Sequence, residues 1–289
     1  MKPSKELELM LRYKRPASSW TEESFIEDWL LPLPGIQVDA VGNLYLGIGD
    51  SPILWSAHTD TVHRTPGFQT LRWERGCLSA VDSNCLGADD TTGCWMLRQM
   101  VLRGIPGLYV WHRGEEIGGR GSSYIAQETP ELLEGIRYAV AFDRRGYDSV
   151  VESQFGPCCS FEFAGELRRQ LGFYDNPADA IGLFTDTANY TQLIPECSNI
   201  SVGYFDAHSP QERQDVGFAL DLLERVSKLD IDRLPTVRDN RFSKFTDAFS
   251  HDADFFYCPF CDEVGEHWDS VCESCGQLNM WADVQRSTA

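Results

Sequence analysis

Short apolar runs alternate with longer segments of helical periodicity through most of the chain. The runs at 53–57, 107–111 and 138–142 are almost wholly apolar, as is typical of strands that are covered on both faces. Between the first two runs, apolar residues recur at helical spacing over 91–103, and another such segment starts at Pro210. This alternation predicts a three-layer α/β/α sandwich around a mixed, mainly parallel sheet.

Shorter patterns complete this picture. The segments 36–40 and 44–46 read as paired strands across a Gly-Asn turn, so the sheet is expected to carry an antiparallel edge. The stretch Cys159–Phe163 is strand-like. Thr185, Asp186 and Thr187 can cap a helix that reaches Leu193.

The periodic pattern stops near residue 234, where scattered charges and phenylalanines replace it. We therefore expect a large domain over 1–233, a linker over 234–256 and a separate small unit over 257–289. The 289 residues and the 42% hydrophobic content fit one sizeable α/β domain with a buried core.

Charge and cysteine content narrow the classes of function. The formal charge of -19 disfavours binding to nucleic acid or anionic lipid, since phosphate neutralisation needs a basic face. No apolar run reaches the roughly 18–20 residues that span a bilayer, and the first residues do not resemble a signal peptide. We therefore expect a cytoplasmic protein without membrane attachment, in which most cysteines are buried thiols.

Acidic and histidine residues stand where the apolar runs end. They are His58, Asp60, Asp89, Glu115, Glu116, Asp143 and His208. Each has an ordinary explanation by itself: Asp89 at a helix start can be a backbone cap, and paired glutamates are usually solvated. Because ligands of parallel sheets collect beyond the carboxyl ends of the strands, their joint occurrence predicts a single site for two metal ions.

Charge balance supports two ions in this site. Two divalent cations face three negative charges from Asp89, Glu116 and Asp143, and the net charge of +1 favours a bound hydroxide over water. Asp89 is expected to bridge the ions. His58 and Asp143 would hold one ion, and Glu116 and His208 would hold the other.

Two further carboxylates receive roles beside the metals. Glu115 is the expected general base, which takes a proton from the bridging water and passes it to the departing amine. Asp60, two residues after His58, is expected to hold the outer N–H of that imidazole and to orient the ring.

Five short motifs connect these residues to a known family. They are Ser56–Val62 (SAHTDTV), Gly87–Asp90 (GADD), Glu115–Ser122 (EEIGGRGS), Ala141–Asp143 (AFD) and Ala207–Pro210 (AHSP). Together they resemble the motifs of the co-catalytic zinc exopeptidases, which include zinc aminopeptidases, peptidase T and glutamate carboxypeptidase-like enzymes. The resemblance extends from about Phe25 to Lys228. It implies a phosphorylase/hydrolase-like fold, the ligand roles given above and a cis peptide between Asp89 and Asp90.

The chain also departs from these relatives. Thr91 and Thr92 stand where peptidase T-like relatives usually carry a lysine. Only 64 residues separate Asp143 from His208, and core elements occupy them, so we expect no inserted lid domain. The short segment between Asp143 and His208 favours a compact aminopeptidase-like enzyme. It leaves the donor that stabilises the oxyanion open among the following residues, each of which also has a structural explanation: Tyr190, Tyr204 and His112.

Two Cys-x-x-Cys pairs occupy the last part of the chain. They are formed by Cys258, Cys261, Cys272 and Cys275, with ten residues between the pairs. Four thiolates fit a tetrahedral structural zinc ion, which would supply folding energy that so short a segment lacks; disulfides are the less favoured alternative. The segment resembles a zinc ribbon. Its acidic composition favours a structural or protein-docking role over nucleic acid binding.

The sequence therefore predicts a metallopeptidase of the aminopeptidase type, with two zinc, cobalt or manganese ions and a peptide or small amide as substrate. A deacylase or carboxypeptidase of small N-acyl amino acids is one alternative, weakened by the missing lid. A non-catalytic module that binds proteins through the ribbon is another. The intact Glu115 and the complete ligand set argue against the latter.

Overall fold

The structure, a computed structural model, describes residues 1–154, 156–174, 181–182 and 184–239 and the backbone of two short strands near the C-terminus. In chain order the helices are α1 (Pro3–Met10), α2 (Trp20–Phe25), α3 (Ala88–Leu102), α4 (Arg120–Glu128), α5 (Phe161–Leu171) and α6 (Val216–Val226). None of the helices in these ranges is both long and apolar enough to cross a membrane.

Strands are numbered in chain order over the same ranges. They are β1 (Tyr13–Lys14), β2 (Gln37–Val38), β3 (Leu44–Ile48), β4 (Ile53–His58), β5 (Gly67–Phe68), β6 (Thr70–Glu74), β7 (Cys77–Val81), β8 (Gly107–His112), β9 (Tyr138–Arg144), β10 (Ser153–Gln154), β11 (Ile181–Gly182), β12 (Glu196–Ser201), β13 (Tyr204–Phe205), β14 (Arg213–Asp215), β15 (Phe256–Tyr257) and β16 (Val264–Gly265). Single turns of 3₁₀ or π helix connect several of them; the one that bears on the site is the 3₁₀ turn Asp186–Tyr190.

A six-stranded sheet in the order β12-β9-β4-β8-β3-β2 forms the centre. The first four strands are parallel, and β3 and β2 add an antiparallel edge. This confirms the predicted mixed, mainly parallel α/β architecture. The two strands that follow β4 in the central sheet, β8 and β9, lie on opposite sides of it. The strand order therefore reverses at β4, and ligands of such sheets usually bind beyond the carboxyl end of the strand at the reversal, where His58 stands.

Side chains of the central strands alternate between two cores, because successive strand residues point to opposite faces. Trp55 and Trp111 belong to the larger core, which includes residues of α1, α3, α5 and α6. Leu54 and Val110 belong to the smaller core, which includes Ile125 of α4. Each fully buried side chain of this size contributes about 1.5–3 kcal/mol, so both helical layers hold the sheet from which the site projects.

Three secondary-structure predictions are wrong. The strand-like stretch Cys159–Phe163 contains the start of α5: the Ser160 hydroxyl accepts a hydrogen bond from the Phe163 amide at 3.1 Å and caps that helix. The segment after Asp186 is a 3₁₀ turn that ends at Tyr190, short of Leu193.

The third wrong prediction concerns the helix expected from Pro210. Residues 213–215 instead form β14, which joins a four-stranded antiparallel sheet in the order β13-β14-β7-β6. Pairing with β7 prevails there over the local helical pattern, and α6 starts only after the Asp215 cap, whose carboxylate accepts from the Phe218 amide.

The chain divides into two compact units, Met1–Phe242 and Ser243–Ala289. The first residues of the predicted linker belong to the first unit: the amides of Val237 and Arg238 donate to the Glu196 carboxylate at 2.7 and 2.9 Å. In the second unit, β15 and β16 pair in antiparallel fashion. The four cysteines of the predicted ribbon lie outside the described residues, so the ribbon stays a prediction.

The other six cysteines are free thiols. Five are buried and Cys77 is half-buried, in agreement with the expectation of structural thiols. Cys94 on α3 donates its S–H to the carbonyl of His58 and thereby links this helix to the end of β4. Burial raises the pKa of the Cys94 thiol, so it stays protonated and unreactive at neutral pH.

Candidate metal centre

The five predicted ligands come together at the carboxyl edge of the sheet, where His58 and Asp143 lie in β4 and β9 and Glu116 and His208 lie on loops. Asp89, in the first turn of α3, lies between two histidines: its Oδ1 is 3.1 Å from Nε2 of His58, and its Oδ2 is 3.3 Å from Nε2 of His208. The His58 nitrogen is 3.8 Å from Oδ1 of Asp143, and the His208 nitrogen is 3.3 Å from Oε1 of Glu116. One carboxylate thus faces two imidazole–carboxylate pairs.

These residues fit divalent metal ions. Oε1 of Glu116 and Nε2 of His208 are buried without a hydrogen-bond partner among the described residues, although they lie only 3.3 Å apart. Buried polar atoms rarely lack a partner, and imidazole nitrogens beside carboxylate oxygens are the usual ligands of zinc, cobalt and manganese. The ligand atoms of Asp89, Glu116 and His208 lie within 4.8 Å of one another, close enough to share one ion.

The pKa values of the acids indicate a surplus of buried negative charge. Burial raises the pKa of Asp143 to about 7, and the nearby Asp89 carboxylate adds to the shift. Burial likewise raises the pKa of Glu115 well above its usual range, assisted by Glu116 and Asp143. Asp89 differs, because despite its burial His208 and His58 beside it hold its pKa well below the usual range. A cation in the centre would displace protons from the acids whose pKa is raised and from the histidines.

The same surplus of buried negative charge shifts the pKa values of the two histidines. Burial acts to lower the pKa of His58, but hydrogen bonds with Asp143, Asp60 and Asp89 raise it well above the ordinary value. For His208, burial again opposes the shift, and Glu116 and Asp89 raise the pKa. Two cations would supply the positive charge that the protonated imidazoles otherwise provide.

His58 is oriented through its outer nitrogen. Nδ1 lies 3.1 Å from the backbone carbonyl of Asp60 and 3.5 Å from a carboxylate oxygen of that residue. Because a carbonyl only accepts, Nδ1 carries a proton, and in the neutral ring Nε2 would present its lone pair to an ion in the centre. The sequence assigned this contact to the Asp60 carboxylate, but the backbone carbonyl is the nearer partner.

The Asp60 carboxylate has a different contact. Its two oxygens accept hydrogen bonds from the amides of Glu115 and Glu116, each at 3.1 Å. Asp60 is fully buried, so these bonds fix the backbone of the paired glutamates against the end of β4. Sequence reasoning could not find this contact, because the partners are backbone groups.

Asp90, for which the sequence analysis predicts no role, supports the other side of His58. Its carboxylate accepts hydrogen bonds from the amides of His58 at 3.0 Å and Gly93 at 2.9 Å. The peptide between Asp89 and Asp90 is cis, as the resemblance implied. Close packing at Gly93 leaves no space for a side chain, since an added Cβ would lie 2.4 Å from Oδ1 of Asp90.

A buried cation stands behind the centre. The Arg15 guanidinium donates to the Thr59 carbonyl at 2.6 Å and to the Thr91 hydroxyl at 2.9 Å. Thr91 is one of the two residues that replace the lysine usual in peptidase T-like relatives. The positive charge near this position thus comes from Arg15, 76 residues earlier in the chain.

The three candidates for an oxyanion donor are all engaged elsewhere. The Tyr204 hydroxyl donates to Oδ1 of Asp143 at 3.1 Å. The Tyr190 hydroxyl lies 2.6 Å from Nε2 of His112, whose Nδ1 lies 3.2 Å from the Ala57 carbonyl. Each of the three thus has a polar partner, which for Tyr204 is a predicted metal ligand, and the oxyanion donor is not assigned among them.

A partner of Asp143 that sequence reasoning missed is Thr185. Its hydroxyl donates to Oδ2 of Asp143 at 2.8 Å, so the two oxygens of this ligand accept from Tyr204 and Thr185. The sequence pattern indicates only a helix cap for Thr185. Its side chain makes no capping bond to the 3₁₀ turn that follows.

No protein-family model matches the chain, and no curated protein matches it by sequence. Solved structures do share its fold. A tripeptidase from Staphylococcus aureus is 15% identical with a TM-score of 0.62, over 76% of this chain and 94% of that chain. The aminopeptidase PepT from Bacillus cereus is 14% identical with a TM-score of 0.57, over 78% and 96%. The Pyrococcus horikoshii TET1 peptidase is 15% identical with a TM-score of 0.54, over 79% and 100%. At this level of identity the shared property is the fold.

Proposed function

We propose that this protein is a metal-dependent hydrolase of peptide bonds, an aminopeptidase that works with two divalent metal ions. The observation that carries the proposal is the position of Asp89, with its two oxygens 3.1 Å from His58 and 3.3 Å from His208. A carboxylate in this position can bind one ion through each oxygen. The peptidases that share the fold support the same class of reaction.

His58, Asp89 and Asp143 would hold one ion, and Asp89, Glu116 and His208 would hold the other. Such a pair, when bound, polarises the substrate carbonyl and lowers the pKa of water so that hydroxide forms near neutral pH. The imidazole and carboxylate ligands suit zinc, cobalt or manganese.

Glu115 is the proposed general base. Its carboxylate lies 3.9 Å from Nε2 of His58, beside the ligand cluster, and burial raises its pKa well above the usual range. A base with a raised pKa binds the proton of water more strongly than an ordinary carboxylate does. The carboxylate accepts a proton from water while the water oxygen bonds to the substrate carbonyl carbon. As the C–N bond breaks, the same carboxylate delivers the proton to the leaving amine nitrogen. Asp60 holds the backbone amide of Glu115 and thus positions this carboxylate.

Small peptides with a free amino terminus are the proposed substrates. Between Asp143 and His208 the described residues form α5, the 3₁₀ turn and four short strands, of which β12 joins the central sheet, β10 pairs with β11 and β13 pairs with β14. The short connection supports a compact enzyme that lacks the lid by which many relatives bind their substrates. A deacylase or carboxypeptidase of small N-acyl amino acids is the alternative against which the assay must discriminate.

Two subsidiary proposals concern the remainder of the chain. The four C-terminal cysteines would bind a structural zinc ion, and the ribbon would serve as a docking surface for a protein partner. A cytoplasmic location fits the buried free thiols such as Cys85, Cys94 and Cys197, because thiols persist in reducing compartments.

The test compares three compounds: an alanine dipeptide, its N-acetylated form and alanine anilide, each with zinc, cobalt or manganese added. We expect cleavage of the dipeptide and the anilide only. Glu115→Gln should bind the metals but lose turnover about 10²–10⁴-fold. The exposed Glu27→Gln serves as control and should be unchanged. Cleavage of the acetylated compound alone would contradict the aminopeptidase assignment and favour the deacylase or carboxypeptidase. Normal turnover by Glu115→Gln would show that Glu115 is not the general base.

A further inference from the structure

A buried carboxylate outside the ligand set binds the loop that leads into Asp89. Glu212 is 1% exposed, and its Oε2 accepts hydrogen bonds from the amides of Leu86 at 2.7 Å and Gly87 at 2.8 Å. Its Oε1 accepts from the amides of Ala88 at 2.8 Å and Asp89 at 3.2 Å. Four consecutive backbone donors therefore converge on one side chain.

Glu212 belongs to the loop between β13 and β14, which also carries His208. This loop has an unusual backbone: Asp206 and His208 adopt left-handed conformations, with φ of 54° and 63°, which residues other than glycine seldom do. The Glu212 amide donates to the Ser209 carbonyl at 3.1 Å, so the glutamate closes the turn that follows His208. A backbone of this kind persists only where surrounding contacts hold it in place.

Glu212 thus links two ligands of the same proposed ion. Its carboxylate is fixed to the amide of Asp89, and its backbone is fixed to the turn after His208. The atoms that these two residues direct at the centre, Oδ2 of Asp89 and Nε2 of His208, are 3.3 Å apart. By contrast, the contacts of His58 and Asp143 described above do not involve this loop.

We infer that Glu212 is a positioning residue that sets the separation of Asp89 and His208 and thereby the affinity of the second metal site. The inference rests on the proposed two-metal function. A glutamine at this position would offer one acceptor oxygen, and its NH₂ group would face two backbone N–H donors. The loop must then move away, and the ion held by Glu116 and His208 should be affected more than the ion held by His58 and Asp143.

Glu196 offers a matched control. It is also fully buried, and it accepts from the amides of Ser160 at 2.6 Å, Val237 at 2.7 Å and Arg238 at 2.9 Å. It stands at the amino end of β12, at the opposite edge of the sheet from the metal ligands. Glu196→Gln therefore disrupts the same kind of carboxylate–backbone contact without touching the site.

The experiment titrates the metal-free full chain with Co²⁺ and follows binding by calorimetry and visible absorption, in which thiolate bands distinguish ions at the cysteines. Wild type and Glu196→Gln should bind two ions at the nitrogen and oxygen ligands with equal affinities. In Glu212→Gln one of these ions should bind about 10–100-fold more weakly, and the other, which shares only Asp89, should lose clearly less affinity. Glu212→Asp, which keeps the charge but is one methylene shorter, should give an intermediate loss and serves if the glutamine variant does not fold.

Three other outcomes would contradict the inference. Unchanged binding of both ions by Glu212→Gln and Glu212→Asp would overturn the role of Glu212 and leave the proposed function intact. An equal loss in Glu196→Gln would show that general destabilisation causes the effect. Failure of the wild type to bind two ions outside the cysteines would remove the proposed function together with the role of Glu212.

Discussion

Gly93→Ala is the substitution whose effect can best be worked out from the structure. An added Cβ would lie 2.4 and 2.5 Å from the two carboxylate oxygens of Asp90, so that carboxylate must move. It now accepts from the amides of His58 and Gly93, and the first of these bonds fixes the residue that carries a metal-binding nitrogen. Moving the carboxylate therefore changes both the stability of the fold and the position of a ligand.

The magnitude follows from three contributions. Loss of one hydrogen bond to a charged group destabilises by about 1.5–3 kcal/mol, and overpacking adds about 1–3 kcal/mol. Alanine in place of glycine inside a helix stabilises the fold by about 0.5–1 kcal/mol, which offsets part of this loss. The net expectation for Gly93→Ala is a decrease of about 1.5–5.5 kcal/mol in the free energy of unfolding.

Gly165→Ala in α5 is the matched control. A Cβ added there has no atom within 4 Å among the described residues, so only the helix preference remains. We expect this variant to be about 0.5–1 kcal/mol more stable than wild type. Urea unfolding of the metal-free proteins measures both differences, and the Co²⁺ titration shows whether Gly93→Ala also weakens the ion at His58. A Gly93→Ala variant as stable as Gly165→Ala would refute the packing argument.

Three further predictions concern other parts of the protein. Burial lowers the pKa of His63 to about 4, and the unfolded chain protonates at about 6.5, so stability falls as the pH drops below that value. Between pH 8 and pH 5, wild type should therefore lose about 2 kcal/mol more unfolding free energy than His63→Gln, and equal losses would contradict this. Asp60→Asn should lower turnover about 10–100-fold, because it releases the amides of Glu115 and Glu116. Measurement of kcat, KM and metal content on the same samples would distinguish this effect from a general loss of structure. Cys258→Ser should remove the thiolate bands of the Co²⁺-loaded chain without changing dipeptide turnover.

The cluster of proposed ligands could be predicted from the sequence because of where parallel strands end. An almost wholly apolar run identifies a buried strand, and the polar residues directly after it must lie at one edge of the sheet. His58, Glu116 and Asp143 could therefore be placed at one edge of the sheet without knowledge of which strands are neighbours. The distances from Asp89 to the two histidines could not be predicted in this way, because they depend on how the loops fold.

The residues that support the ligands could not be predicted in this way. Glu212 accepts from backbone amides more than 120 residues earlier in the chain, and Asp60 accepts from amides 55 and 56 residues later. Every residue except proline has such an amide, so these contacts leave no pattern in the sequence. Arg15 is similar, since its cation reaches Thr91 only because β1 packs beside the loop after β4.

The secondary-structure predictions were wrong where tertiary pairing or a capping residue determined which element forms. The residues after Pro210 have a helical pattern, yet Gln214 lies opposite Leu78 in a sheet, and its buried side chain accepts from the Thr92 hydroxyl. In α5, by contrast, Ser160 and the spacing of Phe163 and Leu167 were available as helix signals. Apolar residues next to Cys159 suggested a strand instead.

Anomalous diffraction from crystals of the metal-loaded full chain tests the central claim most directly. The account predicts two strong peaks about 3.5–4 Å apart, one on each side of the Asp89 carboxylate, the first beside His58 and the second beside His208. A single peak, or density at the cysteines alone, would contradict it.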